Sequence, residues 1–292
     1  MMTTVLFGVL TGIASFIMGS AQKAMLIFEE PALMQAYQIL FSVTSFTLPF
    51  IICYKIGGYR IGELVSFKKT EKELALPLIF LGVAFCSFAN LGAAQIDNIF
   101  SSLGIDYSVG SFEFPSGFFG FVLSVLATAV VPAFVEEFAV RGIALGTLRK
   151  FGDTFALVTT SICFGIMHGN FEQMPFAIFV GLFLGFSVLK TGSLRVAITV
   201  HFINNFQSVI LAYIPTTVSQ EIQNTAFILY MFLTFVVGSF FLRKTEHKDF
   251  YTLMPANTLC SEKEKYKRFF TSAGVVIFIV MNLLEAVSFI FI

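Results

Sequence analysis

Charge is what this sequence has least of. Only 12% of its 292 residues are Asp, Glu, Lys or Arg, against roughly 25% in a soluble globular domain. With half the usual solvating side chains missing and 57% of residues hydrophobic, water is excluded as the main solvent for its surface. Lysine plus arginine (18) balance aspartate plus glutamate (18), so net charge gives no basis for a nucleic-acid partner, and none is expected. Cysteine is scarce and scattered, at Cys53, Cys86, Cys163 and Cys260, with no C-x-x-C. That excludes a disulfide framework and a zinc-knuckle pattern. Met1-Met2-Thr3-Thr4 lacks a basic n-region, so the first apolar stretch is expected to stay as a helix and not to be cleaved as a signal peptide. Tryptophan is absent and phenylalanine abundant, with 39 residues, which says little about substrate.

What the chain does have is long apolar runs, at about 4–27, 32–54, 74–96, 118–147, 154–170, 174–189, 195–213, 225–242 and 270–291. Each is near the length of a membrane-crossing helix, about 20 residues. Hydrocarbon admits only helices or closed barrels, and barrel strands would be shorter and alternate in polarity. These runs do not alternate. The fold class expected is therefore all-α, a polytopic transmembrane helix bundle of about 8–9 spans in an integral, multi-pass membrane protein, with the cell membrane as its location if the source is bacterial.

The cations give an orientation. With a cytoplasmic N-terminus and nine spans, one side receives Lys55, Arg60, Lys68, Lys69 and Lys72, then Arg149 and Lys150, then Lys190 and Arg195. The same side receives Arg243, Lys244, Lys248, Lys263, Lys265, Lys267 and Arg268. The opposite loops hold Glu29, Glu30, Asp97, Asp106, Glu113, Glu172 and Glu221, with no lysine or arginine. Lys23 and Arg141 fall within the runs. No loop is long enough for a soluble domain, so residues 1–292 read as a single transmembrane domain. A core at about 118–213 is flanked by spans in 1–117 and 214–292. Gly8-x-x-x-Gly12 and Gly181-x-x-x-Gly185 read as close helix contacts.

Ionisable side chains inside a span cost about 2.5–3.5 kcal/mol each on insertion scales, and so ask for a functional explanation. The fourth, fifth and seventh runs concentrate them: Glu136, Glu137 and Arg141; His168, one turn after Phe164; His201 and Asn205. Two of the three histidines are here, and the third, His247, sits in a charged loop. At 1.5 Å per residue, Glu136 lies about 20 Å along its helix from Arg149, and His168 about 22 Å from Asp153. His201 and Asn205 lie about 9 and 15 Å from Arg195. These depths are compatible with one site, and Pro132 is placed to kink the fourth span just before the acids. Glu137 and Arg141 are i, i+4 and form a neutralised pair; Glu136 points about 100° away and is left free. His201 and Asn205 share a face. Any one of these motifs is equally explained by a topology anchor or an interhelical hydrogen bond. Together they indicate a buried acid/base site whose chemistry the residues alone leave open. Asn90 and Gln95 read as interhelical hydrogen bonds. Glu285, with Asn282 before it, reads as approaching the outer interface, and the basic 243–269 loop as a reader of anionic headgroups.

Glu-Glu-x-x-x-Arg, Phe-x-x-x-His and His-x-x-x-Asn, in that order on successive spans, resemble the CPBP family. That family includes the type II CAAX prenyl endopeptidases and the Abi-type bacteriocin-processing and self-immunity proteins. The resemblance covers about 118–213 and implies hydrolysis of a peptide bond within the bilayer. By position, Glu136 and His168 would hold and activate water, and His201 and Asn205 would stabilise the oxyanion. Glu137 with Arg141 would fix the geometry of their span. Family members are usually classed as metallopeptidases, which makes Glu136, His168 and His201 the candidate zinc ligands. Without an H-E-x-x-H signature, a metal-free glutamate peptidase stays equally open. The expected partners are membrane lipid and a lipidated or transmembrane peptide substrate. The oligomeric state is not read from the residues. Two other functions stand beside the peptidase: a non-catalytic immunity or scaffold protein, and a proton-coupled transporter, for which inverted repeats are lacking.

Overall fold

Where lipid offers no hydrogen bonds, a backbone must satisfy itself within the segment, and the described residues accordingly form helices and no strand. The computed structural model describes residues 30–104, 114–215, 217–245, 250, 252–256, 260–288 and 290. The run at 4–27, with Gly8-x-x-x-Gly12, and His247 lie outside the described residues. The helices are α1 Pro31–Ile56, α2 Lys72–Ser102, α3 Gly117–Phe151 and α4 Asp153–Ile166. They continue with α5 Met174–Thr191, α6 Arg195–Ala212, α7 Gln220–Arg243, α8 Glu262–Phe270 and α9 Ala273–Ser288. Pro31 starts α1, where its missing N–H costs nothing. Ser219 and Ser261 cap α7 and α8 by accepting from Ile222 N and Glu264 N.

Five of these helices, α1, α2, α3, α5 and α7, are long and apolar enough to cross a membrane. A sixth is added if α8 and α9, bent by 62° at their junction, count as one span. The protein is thus an all-α, multi-pass membrane protein, but the expected 8–9 spans are not confirmed. One of the nine runs, 4–27, lies outside the described residues, and for two others the reason is physical. α4 has 14 residues, about 21 Å, short of a hydrocarbon core of about 30 Å. α6 is long enough but carries Arg195, His201, Asn204, Asn205 and Gln207, and it falls below span hydropathy.

α3 is not a uniform α-helix. Val125–Val130 and Glu137–Ala144 are π-helical, and the short α segment between them, Val131–Glu136, has Pro132 in its first turn. Such wide turns are rare and frequently mark functional sites. Proline has no N–H to give a carbonyl of the preceding turn.

α7 lies along α2, and α4 along α5, while α6 packs against α2, α5 and the first π-helical segment. Close approach needs small residues. A Cβ on Gly82 of α2 would lie 2.9 Å from Val200 Cγ2 of α6. One on Gly181 would lie 3.1 Å from Ser161 Cα, so the Gly181-x-x-x-Gly185 face is the contact of α5 with α4.

The basic loops gather at one end. Lys150 Nζ donates to Tyr59 Oη at 2.6 Å, Ser193 Oγ to Lys68 O at 2.8 Å, and Lys265 Nζ to Phe151 O at 2.8 Å. Lys190 Nζ donates to Thr252 O, and Thr245 Oγ1 to Glu73 O at 3.0 Å. Elsewhere, Glu172 stands in the field of Asp97; burial first, and that carboxylate second, raise the Glu172 pKa above the ordinary value.

Candidate active site

The centre of the site is one carboxylate oxygen. Glu137 Oε1 accepts from Arg141 Nη1 at 2.8 Å, within α3, and from His201 Nδ1 at 2.9 Å, across to α6. Glu137 and Arg141 are 0% and 1% exposed and His201 7%, so these bonds lie in a low-dielectric setting where they are worth most and cost most to break. Because an ionised carboxylate only accepts, the proton in the second bond sits on Nδ1. The other imidazole nitrogen, Nε2, lies 3.9 Å from Glu136 Oε2. Glu136 makes no hydrogen bond among the described residues and keeps a partly exposed side chain. Adjacent acids have been divided by the helix turn: Glu137 turns inward to hold Arg141 and His201, and Glu136 is left available.

An aromatic ring ties in α4. The Arg141 guanidinium carbon stands 4.0 Å above the Phe164 ring centroid, a cation–π contact. His168 and His201 both meet that ring edge-on, with centroids 4.9 and 6.2 Å away. The turn spacing Phe-x-x-x-His therefore puts Phe164 between the cation and the two imidazoles.

His168 differs from the expectation of a residue within a span. α4 ends at Ile166, and His168 stands in the turn beyond. Its Nδ1 lies 2.7 Å from the carbonyl oxygen of Phe164. A carbonyl cannot donate, so Nδ1 carries the proton and Nε2 is left as an acceptor. Asn170 braces this turn, with Nδ2 donating to His168 O at 3.0 Å and Oδ1 accepting from Gln173 N at 2.7 Å. Gly169 adopts φ +62°, and a Cβ there would lie 2.8 Å from Cδ of Glu285, so α9 closes over the His168 turn.

Asn205 is directed elsewhere. Its Nδ2 donates to Thr128 O in the first π-helical segment at 3.1 Å, and its Oδ1 accepts from Asn204 Nδ2 at 3.1 Å. Asn90 Nδ2 of α2 donates in turn to Asn204 Oδ1 at 2.9 Å.

Of the residues picked out from sequence, the structure joins Glu136, Glu137, Arg141 and His201 into one cluster. His168 reaches it through Phe164, without a hydrogen bond to either carboxylate. Asn205 occupies the same face of α6 as His201. Sequence reasoning missed the bridge from Glu137 to His201, the roles of Thr128 and Asn204, and the contact of Glu285 with the His168 turn. The one available signal was Pro132, which has no N–H to give the turn before it and so marks an irregular stretch of α3. For the zinc that the resemblance implies, Glu136, His168 and His201 are a poor fit. Among the described residues no three His, Cys, Asp or Glu side chains converge as a ligand set. The two His201 nitrogens face carboxylates and one His168 nitrogen faces a carbonyl.

Residues 118–207 match the family described as Type II CAAX prenyl endopeptidase Rce1-like. No curated protein and no solved structure matches the chain. The matched segment, under a third of the chain, holds Glu136, Glu137, Arg141, His168, His201 and Asn205, and in that segment the chain is similar to the type II CAAX prenyl endopeptidases.

Proposed function

We propose that this protein is a glutamate-dependent intramembrane endopeptidase that cleaves a lipid-tethered peptide near its anchored end. The single observation that carries the reading is the arrangement around His201. One side of the imidazole is fixed by Glu137 and Arg141, and the other faces Glu136 at 3.9 Å.

The chemistry follows from which atoms are free. His168 Nε2 accepts a hydrogen bond from the attacking water, and the Glu136 carboxylate takes the water's second proton as the oxygen bonds to the scissile carbonyl carbon. His201, as imidazolium, donates Nδ1–H to Glu137 and has Nε2–H for the oxyanion. An N–H of Asn205 is the second donor. In that state Arg141 and His201 carry two positive charges and Glu136 and Glu137 two negative, so the buried cluster is neutral. Glu136 then passes its proton to the departing amide nitrogen as the C–N bond breaks, leaving a carboxylic acid and an amine. Every step uses side chains of this chain alone.

The matching family is described as one of CAAX prenyl endopeptidases. Carried to this protein, it gives the substrate class: a C-terminal peptide bearing a lipidated cysteine. Its anchor concentrates it in the leaflet and supplies binding energy remote from the reacting bond. With the basic loops cytoplasmic, this is the inner leaflet.

The test is turnover of a fluorogenic peptide ending in farnesyl-cysteine plus three residues, on enzyme in liposomes. We expect kcat/KM at least about a hundredfold above that of the same peptide without its lipid, an anchor contribution of about 2.7 kcal/mol. Glu136→Gln should remove turnover while the protein still inserts. A chelator such as 1,10-phenanthroline should leave the rate unchanged. Equal rates for both peptides overturn the tethered-substrate reading, and normal turnover by Glu136→Gln overturns the mechanism.

A further inference from the structure

Asn205 owes its orientation to a line of amides that begins outside the segment matched to the family. Asn90 of α2 donates from Nδ2 to Asn204 Oδ1, Asn204 Nδ2 donates to Asn205 Oδ1, and Asn205 Nδ2 donates to Thr128 O. The last oxygen belongs to the π-helical segment that runs up to Pro132. An amide has an accepting end and a donating end, so the line has a direction, set by its two termini. Thr128 O can only accept. Asn90, by donating, obliges Asn204 to turn its nitrogen toward Asn205.

We infer that Asn90 is a positioning residue for the reaction, holding the Asn205 amide with its nitrogen toward α3 and its oxygen turned away. The inference rests on the reading of Asn205 as an oxyanion donor and adds what makes that reading possible. An amide turned over would bring its oxygen toward the Thr128 carbonyl and meet a developing oxyanion with a lone pair. Asn205 Nδ2 has two hydrogens and spends one on Thr128 O, which leaves one for the substrate. The approach that lets Asn90 reach α6 is prepared one side of it by Gly82, whose bare Cα admits Val200 of α6.

Two substitutions separate the role from simple packing. Asn90→Leu removes the donor at similar volume. Asn90→Asp keeps the shape but puts two acceptors where the line needs a donor, and so asks Asn204 to reverse. With the farnesylated peptide on reconstituted enzyme, Asn90→Leu should lower kcat about tenfold, the equivalent of one hydrogen bond, with KM within about twofold of wild type. Asn90→Asp should be slower still. In an Asn205→Ala background, which is itself slow, neither change should cost anything further, because the route through Asn205 is already gone. A role in packing alone predicts the opposite order, Asp milder than Leu, and the same penalty in both backgrounds; either result overturns the inference. If Asn205→Ala turns over normally, the oxyanion role itself fails. If Asn205→Ala is slow and both Asn90 variants are at wild-type rate, only the positioning role fails. Should the wild type leave the peptide uncut, thermal unfolding of Asn90→Ala, Asn204→Ala and the double variant reads the line directly. Additive losses of Tm would show that the amides are not coupled, and would end the proposal.

Discussion

Two pairs in this protein share a spacing and a distance and almost nothing else. Glu137–Arg141 in α3 and Glu264–Arg268 in α8 are both i, i+4, and both have a nitrogen 2.8 Å from a carboxylate oxygen. The first pair is 0% and 1% exposed; the second is 40% and 70% exposed. Helical spacing supplies the geometry in each case, but solvent decides its worth. Around the outer pair, water competes for every donor. Around the inner pair the same contact has been built upon: Glu137 Oε1 accepts again from His201, and Arg141 lies on Phe164. A pair that would be ornamental at the surface becomes the hinge on which three helices meet.

The sharpest way to break this comparison is Arg141→Ala. It leaves Glu137 buried with only His201 to answer it, at a cost of about 3–5 kcal/mol. It also uncovers one face of Phe164, the ring that both imidazoles meet edge-on. We expect a large fall in Tm in detergent and no detectable turnover. A variant as stable as wild type would show that the inner pair is solvated and that the contrast is false.

Arg141→Lys asks for less. An ammonium restores the charge but reaches Glu137 as a point, without the planar guanidinium that lies over the ring. The expected result is a stability loss of about 1–2 kcal/mol, with kcat reduced and KM little changed, since nothing proposed to bind the lipid anchor is touched. Equal kcat for Lys and Arg would reduce Arg141 to a counter-charge.

The comparison also explains which parts of the molecule were legible in the sequence. The membrane class followed from the scarcity of charge, because no soluble fold accommodates that composition. The grouping of Glu136, Glu137 and Arg141 was legible because spacing along a helix is local. The bond from His201 to Glu137 joins residues 64 apart, and that from Asn90 to Asn204 joins residues 114 apart; no periodicity encodes either. The span count is not confirmed, for a related reason. Hydropathy recognises a span by its apolar length, and the helices that carry the site are where length and apolarity are given up: α4 stops early so that His168 can stand in a turn, and α6 carries amides and an imidazole. The π-helical turns of α3 left no mark beyond Pro132.

The smallest effect is expected at the outer pair, and it is worth measuring because it tests what holds α8. That helix has a polar face of Lys263, Glu264, Lys267 and Arg268, and an inner face on which Tyr266 and Phe269 pack against Phe155 with ring centroids 5.1 and 5.9 Å apart. Lys265, 7% exposed, ends its side chain on Phe151 O. The rings and this lysine should dock the helix, and the Glu264–Arg268 contact should not. The Arg268 hydrogen bond holds the Glu264 carboxyl below its ordinary pKa. A depressed carboxylate contributes stability at neutral pH and loses it as acid protonates it, but an exposed pair contributes too little to read. Arg268→Ala and Glu264→Gln should therefore match wild type in Tm at about pH 7 and again at about pH 2, on either side of the ordinary carboxylate range. Their kcat/KM in neutral liposomes should also be unchanged. A drop of several degrees at neutral pH that vanishes in acid would mean that the pair docks α8 after all. A rate loss confined to liposomes of anionic lipid would instead make Arg268 a contact to headgroups, and give the outer pair the function that the comparison denies it.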